Sequence, residues 1–197
     1  MLAVWLFDRF TARRHPRPCP TYLIGLLDNP FTASYHKAIL SRLELALGLE
    51  VLDSGCGPGL LTVPIAQAVG PGGKVTALDI QEGMLQRART AVAKAGVANV
   101  SFLRAALGES KLLLAAFDRA LLVTVLGEIP DRASALREIR SCLKPGGFLS
   151  ITEVLPDPDH LSRSAVRALV IAAGFRIRGE FGNLFMSTLN AERPHGA

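Results

Sequence analysis

The chain has 197 residues, of which 49% are hydrophobic, and its formal net charge is +5. This length fits one domain with a small appendage, and the hydrophobic share supports a substantial core, so the disordered class is excluded. The chain has no apolar run long enough to span a bilayer, so we expect no membrane span. The positive charge permits a nucleic-acid partner without establishing one, and we do not favour that partner.

Residues 1–47 are expected to form an N-terminal extension and helical cap. Alternating prolines at 16, 18 and 20 favour an extended segment, and residues 21–47 have a helical pattern that Gly48 ends. The start is apolar but lacks the basic residue that opens a secretory signal. Basic residues within 9–17 are interpreted as a solvated face, and nothing in the sequence assigns that segment a role.

Three widely spaced cysteines, Cys19, Cys56 and Cys142, form no CxxC pair. Their spacing indicates neither a metal site nor a disulfide framework, so we expect three free thiols and no metal. Free thiols are typical of reducing compartments, and we therefore expect a cytoplasmic protein.

From residue 49 onward, strand and helix patterns alternate, which predicts a parallel sheet with helices on both faces. Predicted strands cover 49–53, 74–79, 99–103, 117–124, 148–154, 174–182 and 184–189, and predicted helices cover 58–69, 82–95, a segment capped by Asp131, and 162–173. Gly182 and Asn183 join the last two strands by a tight turn, which requires antiparallel neighbours. We expect one domain over residues 48–191, followed by a tail at 192–197.

The most informative motif follows the first strand and reads acid–x–Gly–x–Gly–x–Gly, from Asp53 to Gly59. Glycines between a strand and a helix let a ligand approach the backbone closely and aim free N–H groups at it. A nicotinamide-binding loop would need G-x-G-x-x-G, and its third glycine would fall on Leu60. A nicotinamide oxidoreductase is therefore the least favoured alternative.

Together with Phe117–Leu122 and the segment Lys144–Gly147, this motif resembles the class I S-adenosylmethionine-dependent methyltransferases. The resemblance covers about residues 49–190. It implies an α/β, Rossmann-like seven-stranded mixed sheet, in which five parallel strands are closed by an antiparallel hairpin. It also implies S-adenosylmethionine as cofactor and, from the motif before strand five, a small-molecule acceptor.

The resemblance further implies a cofactor site at the carboxyl ends of the strands. Asp79 matches the acid that binds the ribose hydroxyls. The family's acid near adenine falls on Ala106, which has no carboxylate, so backbone groups there and at Leu107 would have to serve. The full set of expected cofactor-binding residues is Asp53, Gly55, Cys56, Gly57, Pro58, Gly59, Asp79, Ile80, Met84, Ala106, Leu107 and Thr124.

The sequence defines catalytic residues less well than the cofactor site. Positioning alone can supply much of the rate of methyl transfer, so an acid or base is not always needed. Glu128, after strand four, is the first candidate for a catalytic base, and Glu153 and His160 are second choices. Two alternatives stay open: an RNA or protein methyltransferase, and a non-catalytic S-adenosylmethionine-binding module. The sequence indicates neither the acceptor, nor the methylated atom, nor the oligomeric state.

Overall fold

A computed structural model describes residues 30–155 and 157–195. Within them the helices are α1 (Pro30–Arg42), α2 (Thr62–Val69), α3 (Glu82–Ala95), α4 (Arg132–Cys142) and α5 (Arg163–Ala172). The strands are β1 (Glu50–Ser54), β2 (Lys74–Asp79), β3 (Val100–Arg104), β4 (Phe117–Val123), β5 (Leu143–Val154), β6 (Arg176–Gly182) and β7 (Met186–Glu192). A short 3₁₀ helix covers Leu126–Glu128.

The strands form one seven-stranded sheet in the order β3-β2-β1-β4-β5-β7-β6. Strands β1 to β5 run parallel to one another, and β7 pairs antiparallel with both β5 and β6. This arrangement confirms the predicted mixed sheet with its closing hairpin. The strand order reverses between β1 and β4, and ligands of open α/β sheets bind outside the carboxyl ends of the strands at such a point.

Helices cover both faces of the sheet, as predicted. On one face α4 and α5 bury Leu136 and Val170 against strand residues such as Leu149. On the other face α1 and α2 bury Ile39 and Ile65. Among the described residues, no helix combines the length and apolar character that crossing a membrane requires.

Two predicted helix bounds are wrong, and left-handed backbone explains both. The helix after the glycine motif begins at Thr62 rather than residue 58, because Gly59 has φ of +87° and cannot belong to a right-handed helix. The first helix ends at Arg42 rather than residue 47, and Glu44 has φ of +48°. The predicted helical residues 21–29 lie outside the described part of the chain.

Strand β5 and its antiparallel neighbour β7 also differ from their predicted bounds. Strand β5 begins at Leu143 instead of residue 148, because Leu143 pairs with Phe117. In addition, Gly146 N donates to the Arg193 carbonyl, and Arg193 N donates to the Gly147 carbonyl. Strand β7 begins at Met186 instead of residue 184 and runs on to Glu192. The domain bounds of 48–191 stay a prediction.

Candidate active site

The loop between β1 and α2 is fastened to the carboxyl end of β2. The backbone N–H groups of Gly55 and Cys56 both donate to the Leu78 carbonyl, at 2.7 and 2.9 Å. A Cβ atom on Gly55 would collide with the Val125 side chain, and one on Gly59 would lie 3.1 Å from Ala88. Glycine is therefore required at the two ends of the loop by close packing.

Gly57, at the middle of the loop, has a different environment. Its φ is +52°, and no atom lies within 4 Å of the position that a Cβ would occupy. Its N–H donates to Asp79 Oδ2 at 3.0 Å. The backbone here borders an opening, and a ligand could approach Gly57 without displacing any described side chain.

Asp79 ends β2 and is 7% exposed. Its Oδ2 accepts from Gly57 N, and its Oδ1 accepts from Gln81 N at 2.8 Å. Burial raises the pKa of Asp79, and the two backbone donors oppose that rise. Each carboxylate oxygen has a second lone pair, so the braced carboxylate can still accept from hydroxyl groups. The sequence predicted this position but not the bracing of the glycine loop.

Asp53 lies beneath the loop rather than at its surface, because it is only 4% exposed. Its Oδ2 accepts from Thr62 Oγ1 at 2.6 Å, which ties the start of α2 to β1. Burial raises the pKa of Asp53 to about 6, the Thr62 hydroxyl opposes this, and the negative charge of Asp79 adds to it. Sequence reasoning missed Thr62, although a hydroxyl at the start of a helix is a common signal.

The other residues expected to bind the cofactor from the loop and α3 differ in how exposed they are. Cys56 and Met84 are buried, and burial raises the pKa of the Cys56 thiol. The Cys56 Sγ donates to the Gly57 carbonyl at 3.6 Å, within the glycine loop, and the contacts of both residues with the cofactor stay a prediction. Pro58 is half-buried, and Ile80 is 49% exposed at the end of β2. Of these four, Ile80 presents the most accessible apolar surface beside Asp79.

Ala106 and Leu107 follow β3, and both are half-buried. Ala105 N donates to the Asp79 carbonyl at 3.3 Å, so this loop starts beside the end of β2. Buried Glu138 of α4 holds the loop further on, accepting from Gly108 N and, at 3.1 Å, from Leu112 N. Nothing in the sequence pattern connects Glu138 to a loop thirty residues earlier.

The loop after β4 begins with a strained residue. Thr124 has φ of +54°, its Oγ1 donates to the Val123 carbonyl at 2.7 Å, and its N–H donates to the Thr152 carbonyl at 2.9 Å. Non-glycine residues in this conformation concentrate at functional sites. Glu128 closes the 3₁₀ helix that follows and is half-buried at the edge of the sheet where β4 ends.

The loop after β5 packs directly on the loop after β4. A Cβ on Gly127 would collide with the Asp159 carbonyl. Arg132 of α4 reinforces the contact by donating to the carbonyls of Leu126 and Gly127, at 3.0 and 2.6 Å. The two loops therefore form one layer over the carboxyl ends of β4 and β5.

Of the second choices for a base, His160 belongs to this layer, whereas Glu153 lies near the end of β5 and contacts the layer through Leu161. Glu153 is 2% exposed, and its Oε2 accepts from Leu161 N at 3.0 Å. Its Oε1 is buried and has no hydrogen-bond partner within the described residues. Burial raises the pKa of Glu153 to about 8, Asp157 adds to the rise, and Arg132 opposes it. His160 N donates to the Asp157 carbonyl at 3.2 Å.

Cys56 and Cys142 are both buried free thiols, as predicted. Cys19 lies outside the described residues, and its free thiol stays a prediction.

In comparisons with known proteins, the chain matches one family model and is similar to several proteins and solved structures. Residues 51–147 match a family model described as "Methyltransferase domain". A protein in transposon TN4556 of Streptomyces fradiae is 34% identical over 145 residues, covering 72% of this chain and 40% of that protein. A demethylmenaquinone methyltransferase of Lactococcus lactis is 34% identical over 108 residues, covering 55% of this chain and 43% of the relative. The chain thus spans less than half the length of these two relatives.

Among solved structures, an S-adenosylmethionine-dependent methyltransferase from Aquifex aeolicus superimposes with a TM-score of 0.81. The alignment covers 88% of this chain and 98% of that chain, at 26% identity.

Proposed function

We propose that this chain, which belongs to the class I S-adenosylmethionine-dependent methyltransferases, transfers a methyl group to a small-molecule acceptor. The observation that carries the proposal is the opening at Gly57, bordered by backbone and by the braced Asp79 carboxylate. A polar ligand with a hydroxylated sugar fits this arrangement better than an apolar ligand. Bound S-adenosylmethionine would supply an electrophilic methyl group on a sulfonium.

Different described residues would bind different parts of this cofactor. The spare lone pairs of Asp79 would accept the ribose hydroxyls, since a carboxylate offers about four acceptor sites. The exposed Ile80 side chain would cover one side of the ribose and adenine. Backbone groups at Ala106 and Leu107 would contact adenine, because no carboxylate stands there.

Glu128 is the residue we propose as base. Its half-buried position beyond β4 supports this role, since the loop lies at the same edge of the sheet as Gly57 and Asp79. It would accept a proton from an oxygen or nitrogen of the acceptor. The packing of Gly127 against Asp159 would restrict the motion of Glu128 and exclude water from one side.

The relatives named demethylmenaquinone methyltransferases supply the first acceptor to test. We also propose a cytoplasmic location, which the free thiols of Cys56 and Cys142 support.

Methyl-labelled S-adenosylmethionine tests the proposal. Incubated with a panel that includes a short-chain demethylmenaquinone analogue, the protein should yield a labelled small molecule and an equal amount of demethylated cofactor. Asp79→Ala, which removes the acceptor of two backbone bonds, should abolish transfer at low cofactor concentration. Label in added RNA or protein would favour the rival methyltransferases, and cofactor binding without any transfer would favour a non-catalytic module.

A further inference from the structure

The turn between β6 and β7 exposes an unusual amount of apolar surface. Phe181 is 42% exposed, Leu184 78% and Phe185 64%, all within five residues that we call the hairpin tip. Single exposed apolar residues are normal on protein surfaces, but contiguous ones mark interaction sites.

The hairpin tip is held in a defined conformation. Asn183 Oδ1 accepts from Phe185 N and Met186 N, at 2.9 and 3.1 Å. Leu155 N donates to the Phe185 carbonyl at 2.7 Å, which fastens the tip to the end of β5. The exposure of Leu184 and Phe185 is thus built into the turn by these backbone bonds.

Two arginines from different helices flank the tip. Arg163 Nη2 donates to the carbonyls of Phe181 and Asn183, at 3.4 and 3.0 Å. Arg42 Nη1 donates to Thr188 Oγ1 at 2.7 Å, and its guanidinium lies 5.8 Å from the centre of the Phe181 ring. Burial and the nearby charge of Arg163 lower the pKa of Arg42, so the two cations act on each other.

Within the described part of the chain, neither cation is paired with a carboxylate. Among residues 30–155 and 157–195, no carboxylate oxygen lies within 4.0 Å of either guanidinium. Neighbouring arginines do pair: Arg167 binds Glu180, and Arg178 binds Glu44 at 2.5 Å. The tip therefore combines exposed apolar groups with two positive charges that no described carboxylate pairs.

Among the described residues, the acids on the adjoining loop form no ion pair with Arg42 or Arg163. Asp159 faces Arg132 of α4, and that charge opposes the rise in the pKa of Asp159 that burial causes. Asp157 is largely buried, and burial raises its pKa to about 6.

The hairpin tip lies at the same edge of the sheet as the candidate active site. Met186 pairs with Val154 at the end of β5, so the tip projects beyond the carboxyl ends of the parallel strands. Only β5 separates β7 from β4, and adjacent strands are about 4.8 Å apart, which places β7 about 10 Å from β4.

We propose that the hairpin tip docks on a bilayer that contains anionic phospholipid, with Leu184 and Phe185 entering the acyl boundary and Arg163 and Arg42 at the headgroup phosphates. A membrane interface has an apolar acyl boundary beneath a layer of anionic headgroups. Protruding apolar side chains with cations behind them match these two layers. Docking would turn the opening of the site toward the bilayer and favour a lipid-soluble acceptor. The preference for a lipid-soluble acceptor rests on the proposed function, whereas docking itself does not.

Flotation of the full chain with vesicles tests the proposal. The protein should float with vesicles of 7:3 phosphatidylcholine and phosphatidylglycerol, several-fold less with phosphatidylcholine alone, and less at high salt. The double variant Leu184→Ser, Phe185→Ser should lose at least ten-fold in binding. Arg163→Gln should lose a few-fold and show a weaker dependence on salt.

Leu114→Ser is the matched control. Leu114 is 77% exposed, but it lies near the start of β5, at the opposite edge of the sheet. This variant should float as the wild type does, and the thermal midpoint of every variant shows whether it is folded.

Three results would overturn the proposal: no flotation of the folded wild type, unchanged flotation of the double variant, or a dimer in sedimentation that the double variant dissociates. The last would make a second copy of the chain the occupant. Flotation needs neither cofactor nor acceptor, so its failure is separate from a failure of methyl transfer.

Discussion

Gly57 is the residue at which ligand binding and folding can be separated. Its positive φ costs a side chain roughly 1–2 kcal/mol, but no neighbour obstructs a methyl group there. Gly57→Ala should therefore fold with that modest loss of stability. Its new methyl group would project into the opening, so the affinity for S-adenosylmethionine should fall at least ten-fold in calorimetry.

Gly96→Ala is the control for backbone strain. Gly96 has φ of +68°, has no atom within 4 Å of a Cβ, and ends α3 away from the opening. It should lose similar stability and keep wild-type affinity. Equal affinity in the two variants would place the ligand elsewhere.

Glu128 is tested by removing its charge while keeping its shape. If Glu128 is the base, Glu128→Gln should lower kcat by about 10²–10⁴-fold, with the cofactor dissociation constant within a few-fold of the wild type. Glu109→Gln removes an exposed acid of the loop after β3 and should leave turnover unchanged. Wild-type turnover in Glu128→Gln would leave catalysis to positioning and remove Glu128 from the mechanism.

At the scale of elements, the layer formed by the loops after β4 and β5 depends on a buried acid. The native Glu153 carboxyl has a pKa of about 8, against 4.5 for an unshifted glutamate. Between these values the native state holds a proton that the unfolded chain has released. Stability should therefore fall as pH rises through this interval, by at most about 1.4 kcal/mol per pH unit, and then level off.

Chemical denaturation of wild type and Glu153→Gln between pH 6.5 and 8.5 measures this dependence. The buried carboxyls of Asp53 and Asp157 have pKa values of about 6, below this range, and the buried thiols are the same in both proteins, so the difference between the two slopes reports Glu153. The neutral glutamine should flatten the slope. Parallel slopes for the two proteins would show that Glu153 is ionised in the native state.

The sequence predicted the elements well and their junctions less well. Strand β2 and helix α3 have the predicted bounds because each is a complete local pattern between turn residues. Asp131 caps α4 through Ser134 N at 2.9 Å, as its residue type indicated. The start of α2 was wrong because its position depends on the left-handed backbone of Gly59, which the sequence pattern does not reveal.

At the scale of the whole molecule, the alternation of strands and helices predicted a parallel sheet covered on both faces, and the family resemblance implied the mixed sheet with its closing hairpin. The sequence did not predict the contacts that complete the candidate site. Glu138 reaches the loop after β3, and Asp159 packs on Gly127, across about thirty residues in each case. No periodic pattern encodes such pairs, because each depends on how the finished sheet places its loops.

The central claim is that the opening at Gly57 binds S-adenosylmethionine, and calorimetry measures this most directly. The full chain should bind S-adenosylmethionine and its demethylated product at one site per chain, and Asp79→Ala should weaken both, since charge-assisted hydrogen bonds are about twice as strong as neutral ones. NAD should give no heat at the same concentrations. Binding of NAD with no response to either adenosyl compound at millimolar excess would contradict the account.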